Sequence, residues 1–170
     1  MENKDVAQWK CCYRLEKREG DINAGRSPEE RLAFLEDTSP YEVIEGEGNC
    51  LLNSGIDEMW DLIVGDSANH FSNAKATIGV GDSSTAAAPT QTDLQAATNK
   101  TYKGMETGYP TSTSQKATFK ASFGASDANY TWNEWVVKQS DSGKCFNRKV
   151  DALGTKSSGT WTLEVSITLS

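Results

Sequence analysis

The chain has 170 residues, of which 36% are hydrophobic and 24% charged, and its formal net charge is −7. This length fits one compact domain with its own core, and no run approaches the ~18 consecutive apolar residues that a membrane-spanning helix needs. The charge is uneven, since residues 1–65 carry 15 acids and 7 bases (−8) whereas residues 66–170 carry 9 acids and 10 bases (+1). Neither part clusters Lys and Arg, which argues against direct binding to nucleic acid.

The N-terminal residues predict an extended arm that begins with a strand. Residues 9–15 (WKCCYRL) alternate between two faces, as a strand with one apolar side does. The apolar face carries Trp9, Cys11, Tyr13 and Leu15. Residues 16–27 are charged, contain two glycines and lack periodicity, so they favour a linker. Residues 1–5 are polar where a secretory signal would be basic and then apolar, so we expect the chain to fold in the cytoplasm.

A short helix is predicted to close this arm. Ser27 is a suitable N-cap, Pro28 suits the first helical position, and Glu30 completes a capping box. The helix should end between Asp37 and Pro40, because the residue before a proline avoids helical geometry. The predicted arm therefore spans residues 1–40, with one strand and one short helix.

A second helix is predicted to open near Asn53 or Ser54 and to end at Gly65. It follows a strand-like segment and a glycine turn in residues 41–49. Its apolar residues recur at helical spacing, and such a stripe is most often packed against a core. They are Ile56, Met59, Trp60 and Ile63. We therefore expect this face to be buried.

Short strands dominate the chain from residue 74 onward. Residues 160–170 (TWTLEVSITLS) alternate strictly and form the clearest strand pattern, whereas residues 83–97 are a loop of small residues. The other predicted strands are 76–82, 101–110, 116–124 and 129–137. Short strands separated by Gly, Ser, Thr and Asn turns predict a mainly β protein. We expect an antiparallel, jelly-roll-like β-sandwich body over residues 41–170, with one or two short helices and the N-terminal arm.

Few residues could bind a metal or a cofactor. The four cysteines, Cys11, Cys12, Cys50 and Cys145, form no CxxC pair, and His70 is the single histidine. Residues 79–84 (GVGDSS) lack the Lys-Ser/Thr of a phosphate loop and the third glycine of a dinucleotide fingerprint. We therefore expect no metal and no cofactor, and reduced cysteines that serve as small apolar side chains.

Residues 125–139 (ASDANYTWNEWVVKQ) admit three interpretations. Asp127 and Glu134 could form the carboxylate pair of a glycosidase, and Trp132, Trp135 or Tyr109 could form a sugar-binding platform if their rings were exposed. Strict alternation would put Trp132 and Trp135 on opposite faces, which indicates a strand that is buried on both sides or is covered by a neighbouring subunit. The scaffold interpretation is favoured. Since His70 also lies in a polar loop without a nucleophile motif, no enzymatic activity is expected.

Several segments of the chain resemble a group of virion structural proteins of tailed double-stranded DNA phages. The most specific are GVGD…TQTDLQ in residues 79–95 and FGASDANYTWNEW in residues 123–135; EGEGNCLLNSGIDEMWDLIVG (residues 45–65) and LGTKSSGTWTLEVSITLS (residues 153–170) add to them. The resemblance covers about residues 41–170 and matches the N-terminal arm more loosely. Within this group, the length and the β-rich body fit a capsid decoration, or cement, protein, with a tail or fibre structural protein that binds carbohydrate as the alternative.

The resemblance implies a place and a set of partners. A decoration protein would sit on the virion capsid surface after synthesis in the bacterial cytoplasm, and it would bind the major capsid protein so that neighbouring capsomers are bridged. The role implies a homotrimer. The scattered basic residues and the lack of a long apolar run argue against nucleic acid and a membrane as direct partners. The apolar strand face of Trp9, Cys11, Tyr13 and Leu15 is expected to bind a partner by exchange between subunits, because a strand on a linker can add to a neighbouring sheet edge.

Overall fold

The computed structural model of this chain describes residues 8–170, so the expectation about a secretory signal, which depends on residues 1–5, lies outside the described residues. Two antiparallel sheets face each other. Sheet A runs in the order β2 (Glu42–Glu47), β1 (Trp9–Arg18), β10 (Thr160–Leu169), β7 (Lys116–Phe123) and β6 (Thr111–Thr113). Sheet B runs in the order β3 (Cys50–Leu51), β9 (Cys145–Thr155), β8 (Thr131–Gln139), β4 (Ala76–Gly81) and β5 (Lys100–Gly104). The predicted mainly β, antiparallel sandwich is confirmed, and its jelly-roll topology stays a prediction.

Both predicted helices are present. Helix α1 (Pro28–Asp37) has the expected capping box, in which the Ser27 hydroxyl accepts from the Glu30 N–H and the Glu30 carboxylate accepts from the Ser27 N–H. Helix α2 (Asn53–Val64) ends at Gly65, whose φ of 86° is the left-handed conformation that glycine adopts without a Cβ clash. The start of α1 and the end of α2 therefore follow local capping signals, whereas the N-cap of α2 is Leu52, which makes no side-chain capping bond.

The core lies between the two sheets. Leu15 and Leu163 reach it from sheet A, and Trp135 and Val80 reach it from sheet B, all fully buried. Trp132 stands at its aromatic centre, with edge-to-face contacts to Phe123 and Trp161 at ring-centroid distances of 4.8 and 4.9 Å. Such pairs contribute about 0.5–1.5 kcal/mol each beyond the area that they bury. The large apolar side chains of both sheets thus stabilise one shared core.

The strand of the predicted arm is a central strand of sheet A. β1 pairs along its whole length with β10, from Trp9 opposite Leu169 to Arg18 opposite Thr160, and its other edge pairs with β2. The structure therefore differs from an arm that ends at residue 40, because β1 and β2 lie on either side of that boundary and are hydrogen-bonded to each other. Exchange of β1 between subunits stays a prediction, and it would have to break both ladders.

The four residues predicted to bind a partner through this strand face their own chain. Cys11, Tyr13 and Leu15 are 1%, 4% and 0% exposed, and the Tyr13 ring contacts Trp135 of sheet B at a centroid distance of 5.6 Å. Trp9 is half-buried, and its indole N–H donates to Asn49 Oδ1 at 2.9 Å. Their apolar face is thus already used by the core of the sandwich.

Strand β8 is buried on both faces, as its sequence indicated. The side chains that share each face differ from those that strict alternation predicts. Its register against β9 shifts between Trp132 and Glu134. Both tryptophans, Trp132 and Trp135, therefore lie in the same core between the sheets, whereas Val136 packs in a second cluster with Leu94. The expectation that the two tryptophans point to opposite faces is wrong, because a shift in strand register interrupts the alternation of side chains between the two faces.

Candidate interaction face on helix α2

Helix α2 is held against strand β9 by its backbone and by its smallest residues. The Leu52 N–H donates to the Phe146 carbonyl at 3.1 Å, and the Ser54 hydroxyl donates to the Cys145 carbonyl at 2.9 Å. Gly55 is buried at the contact, where an added Cβ would lie 2.4 Å from the Phe146 carbonyl oxygen. Only glycine allows the helix backbone to approach the strand this closely.

The same side of α2 carries a buried carboxylate. Glu58 is 0% exposed, and its oxygens bind the Ser67 hydroxyl at 2.6 Å and Lys144 Nζ at 2.8 Å. Lys144 Nζ also binds Asp61 at 3.0 Å. The nearby carboxylates, first Glu58 and then Asp61, raise the pKa of Lys144 above its usual value. Burying a carboxylate is costly without such partners, so Lys144 and Ser67 fix which side of the helix faces the body.

The apolar stripe of α2 consequently faces away from the body. Ile56 is 36% exposed, Trp60 61%, Ile63 69% and Val64 65%. We call these four residues the α2 face. The expectation that Ile56, Trp60 and Ile63 pack in a core is wrong, although Met59 is partly buried. The helix is amphipathic in the inverted sense, with glycine and glutamate inside and large apolar side chains outside.

The exposed apolar side chains of the α2 face form a cluster and are not scattered over the surface. Among residues 8–170, eight large hydrophobic side chains are exposed, and four of them belong to this one helix of 12 residues. Single exposed apolar residues are normal on protein surfaces, but a contiguous exposed patch marks an interaction site more often than not. Gly55, Glu58 and Lys144, which create the face, were not found from the sequence. The small pair Ser54 and Gly55 was the available signal that this side lies closest to the body.

The proposed sugar platform is absent from the described surface. Trp132 and Trp135 are both 0% exposed, and the Trp132 N–H donates to the Ala128 carbonyl at 2.9 Å. Tyr109 is partly exposed, with Lys120 Nζ 5.4 Å from the centre of its ring. A platform needs several aromatic rings side by side at the surface, and two of the three candidate rings are in the core.

The two candidate catalytic carboxylates lie in separate networks. Glu134 is 0% exposed and is bound by Arg148 Nε at 2.7 Å and by the Ala96 N–H at 2.7 Å. Asp127 instead accepts from the Gly124 N–H at 2.8 Å and from Lys103 Nζ at 2.8 Å. Their bonded partners have no residue in common, and Glu134 is fully buried, so the two carboxylates do not face each other across an open cleft. Each is engaged in holding a loop or a strand in place.

The possible metal ligands are likewise dispersed. Within residues 8–170, no group of three or more His, Cys, Asp and Glu side chains is placed to hold a metal ion. His70 is exposed, and the four cysteines are unpaired thiols. Burial is the main reason that the pKa of Cys11 is raised to about 12, and burial also raises that of Cys145. Both buried thiols therefore resist ionisation and behave as apolar side chains.

Comparison of the chain with protein-family models, curated proteins and solved structures found no match. Within residues 8–170, neither helix is both long enough and apolar enough to span a membrane. The fold and the α2 face are therefore the observations from which function can be argued.

Proposed function

We propose that this chain is a phage capsid decoration protein that binds the outer surface of the major capsid protein shell and bridges neighbouring capsomers. The resemblance of residues 41–170 to virion structural proteins supports the virion part of the proposal. The observation that carries it is the α2 face, a cluster of exposed apolar side chains that the sandwich does not need for its own core. A protein that acts by attachment needs such a surface.

The mechanism is stabilisation by linked contacts. A shell under internal pressure fails where neighbouring capsomers separate, and a molecule bound to both raises the free energy of separation. Once one contact is made, the next forms at a high effective concentration, so several modest interfaces combine into strong attachment. Assembly as a homotrimer, which the role implies, would give each assembly three copies of the α2 face. Attachment through the α2 face leaves β1 in its own sheet.

Cryo-electron microscopy of purified particles that contain the chain tests this proposal. We expect density for the two-sheet sandwich on the outside of the head, with α2 directed at the shell. Density on the tail or fibre would contradict the decoration role and favour the alternative tail role. Particles that lack the chain should release packaged DNA at a lower temperature than particles that carry it.

A further inference from the structure

We propose that the α2 face docks into an apolar groove of the shell protein whose rim carries Lys or Arg side chains. This inference rests on the proposed decoration function and adds the chemistry of the partner surface. It depends on the spacing of the exposed apolar residues and on the charges that surround them.

The spacing suits a groove. Ile56, Trp60, Ile63 and Val64 stand at positions i, i+4, i+7 and i+8, so they form one continuous ridge along the helix. Amphipathic helices that bind grooves use anchors at this spacing. Trp60, at the middle of the ridge, has the side chain most often found to dominate the binding energy of an interface.

The charged side chains of the helix itself are all acidic. Residues 53–70 contain four acids, Asp57, Glu58, Asp61 and Asp66, and no Lys or Arg. Lys144 comes from the body and is engaged with Glu58 and Asp61. Asp57 and Asp66 are exposed and make no ion pair with any residue in the described part of the chain. The C-terminal end of the helix adds partial negative charge beside Val64 and Asp66.

This charge pattern selects among possible occupants. A second copy of the α2 face would bring acids against acids, which costs binding energy. An anionic lipid surface would be repelled for the same reason, since interfacial helices flank their apolar face with Lys and Arg. A protein groove with basic residues at its rim would satisfy both Asp57 and Asp66 while it buries Trp60.

Binding of the purified chain to purified shells that lack it tests the inference. Trp60→Ala should weaken binding by at least about 30-fold, the loss typical of a central aromatic anchor. The matched control is Leu32→Ala on α1, which removes another exposed apolar side chain (50% exposed) and should change affinity less than about twofold. Thermal unfolding of both variants should match that of the unaltered chain, because neither side chain is in the core.

The double variant Asp57→Asn with Asp66→Asn tests the basic rim. It should associate more slowly than the unaltered chain at low salt, and its rate should depend less on ionic strength. Equal association rates for the double variant and the unaltered chain at every salt concentration would show that the partner groove has no basic rim.

Three other outcomes would also overturn the inference. If the unaltered chain binds shells and Trp60→Ala binds equally well, the docking face is elsewhere while the decoration function stands. If the unaltered chain does not bind shells at all, the function and the inference both fall. If sedimentation shows self-association that Trp60→Ala abolishes, or anionic vesicles bind the chain through Trp60, the occupant is a second copy or a lipid surface.

Discussion

A buried ion pair helps to hold the long loop of residues 83–97 in place. Arg148 and Glu134 are both 0% exposed, with 2.7 Å between Nε and Oε2. The other guanidinium nitrogens of Arg148 donate to Gln91 Oε1 and to the Thr85 carbonyl, both at 2.9 Å. The Glu134 carboxylate also accepts from the backbone N–H of residues 95 and 96 at 3.0 and 2.7 Å. Two side chains of sheet B thus bind this loop, which has no helix or strand, at residues 85, 91, 95 and 96.

Arg148→Met should lower the free energy of unfolding by about 3–5 kcal/mol, because it leaves the buried Glu134 carboxylate without its cation. Denaturant titration at pH 7 measures the change. The double variant Arg148→Met with Glu134→Gln removes both charges and should recover part of the loss. A loss below about 1 kcal/mol in the single variant would show that water reaches this pair.

Asp93 makes the stability of the protein depend on acid pH. Burial acts to raise the pKa of Asp93, but hydrogen bonds from Lys138, Tyr102 and the Leu94 N–H outweigh it and hold the pKa below its usual value. A carboxylate whose pKa is lower in the folded state contributes stability above its unfolded pKa of about 3.9. That contribution is lost as the pH falls through the lower, folded pKa.

Asp93→Asn should therefore make the fall in unfolding free energy between pH 5 and pH 2 less steep than in the unaltered chain. Denaturant midpoints measured at a series of pH values give the slope. Tyr102→Phe removes only one of the hydrogen bonds and should reduce the slope by less. An identical slope for Asp93→Asn would show that other carboxylates account for the acid sensitivity.

At the scale of elements, the orientation of α2 is set by contacts and not by its apolar stripe. Its buried side is defined by Gly55 against Phe146 and by Glu58 against Lys144, and Lys144 is far from the helix in sequence. The most hydrophobic side of α2 therefore faces solvent, which core packing alone would not favour.

Gly55→Ala tests whether the close approach of α2 to β9 contributes to stability. In a free helix the change would stabilise by about 1 kcal/mol, because alanine has the higher helix propensity. Here the new Cβ would meet the Phe146 carbonyl, so we expect destabilisation by about 1–3 kcal/mol instead. Asp57→Ala, at an exposed position of the same helix, is the control and should change the unfolding free energy by less than about 0.5 kcal/mol. A more stable Gly55→Ala would mean that α2 lies farther from β9.

The elements that were predictable are those whose signals are local. β10 alternates strictly, and α1 is bounded by a capping box and a proline, so neither depends on distant residues. β9 was missed because Asn147 and Arg148 are buried polar residues that break the expected pattern, and their partners are distant in sequence. The α2 stripe was found but assigned to the core, since periodicity gives the width of a face and not its direction.

For the whole molecule, the question is where the folded body begins. Sheet A includes β1, and Leu15 is 0% exposed in the core. Helix α1 follows in the chain, but it buries none of its residues. The sequence interpretation treated both as one arm, because a charged, glycine-containing segment follows the strand. The first three residues of that segment, 16–18, belong to β1, and the remainder is a connection that leads through α1 to β2.

Two leucines of the predicted arm test this account. Leu15→Ala should lower the unfolding free energy by about 2–5 kcal/mol, as expected for a large-to-small change in a core. Leu32→Ala, at 50% exposure on α1, should lower it by less than about 1 kcal/mol. Denaturant titrations with unchanged slopes give both values. Equal, small losses would place β1 outside the cooperative unit.

The pairing of β1 with β10 has a consequence during synthesis. Trp9 lies opposite Leu169 and Arg18 opposite Thr160, so the middle of sheet A joins segments made early and late in translation. In the nascent chain, β1 cannot pair with β10 until residues 160–169 have left the ribosome. Pairings this distant in sequence form slowly. β1 must therefore remain available for β10 while the other strands of both sheets are being made.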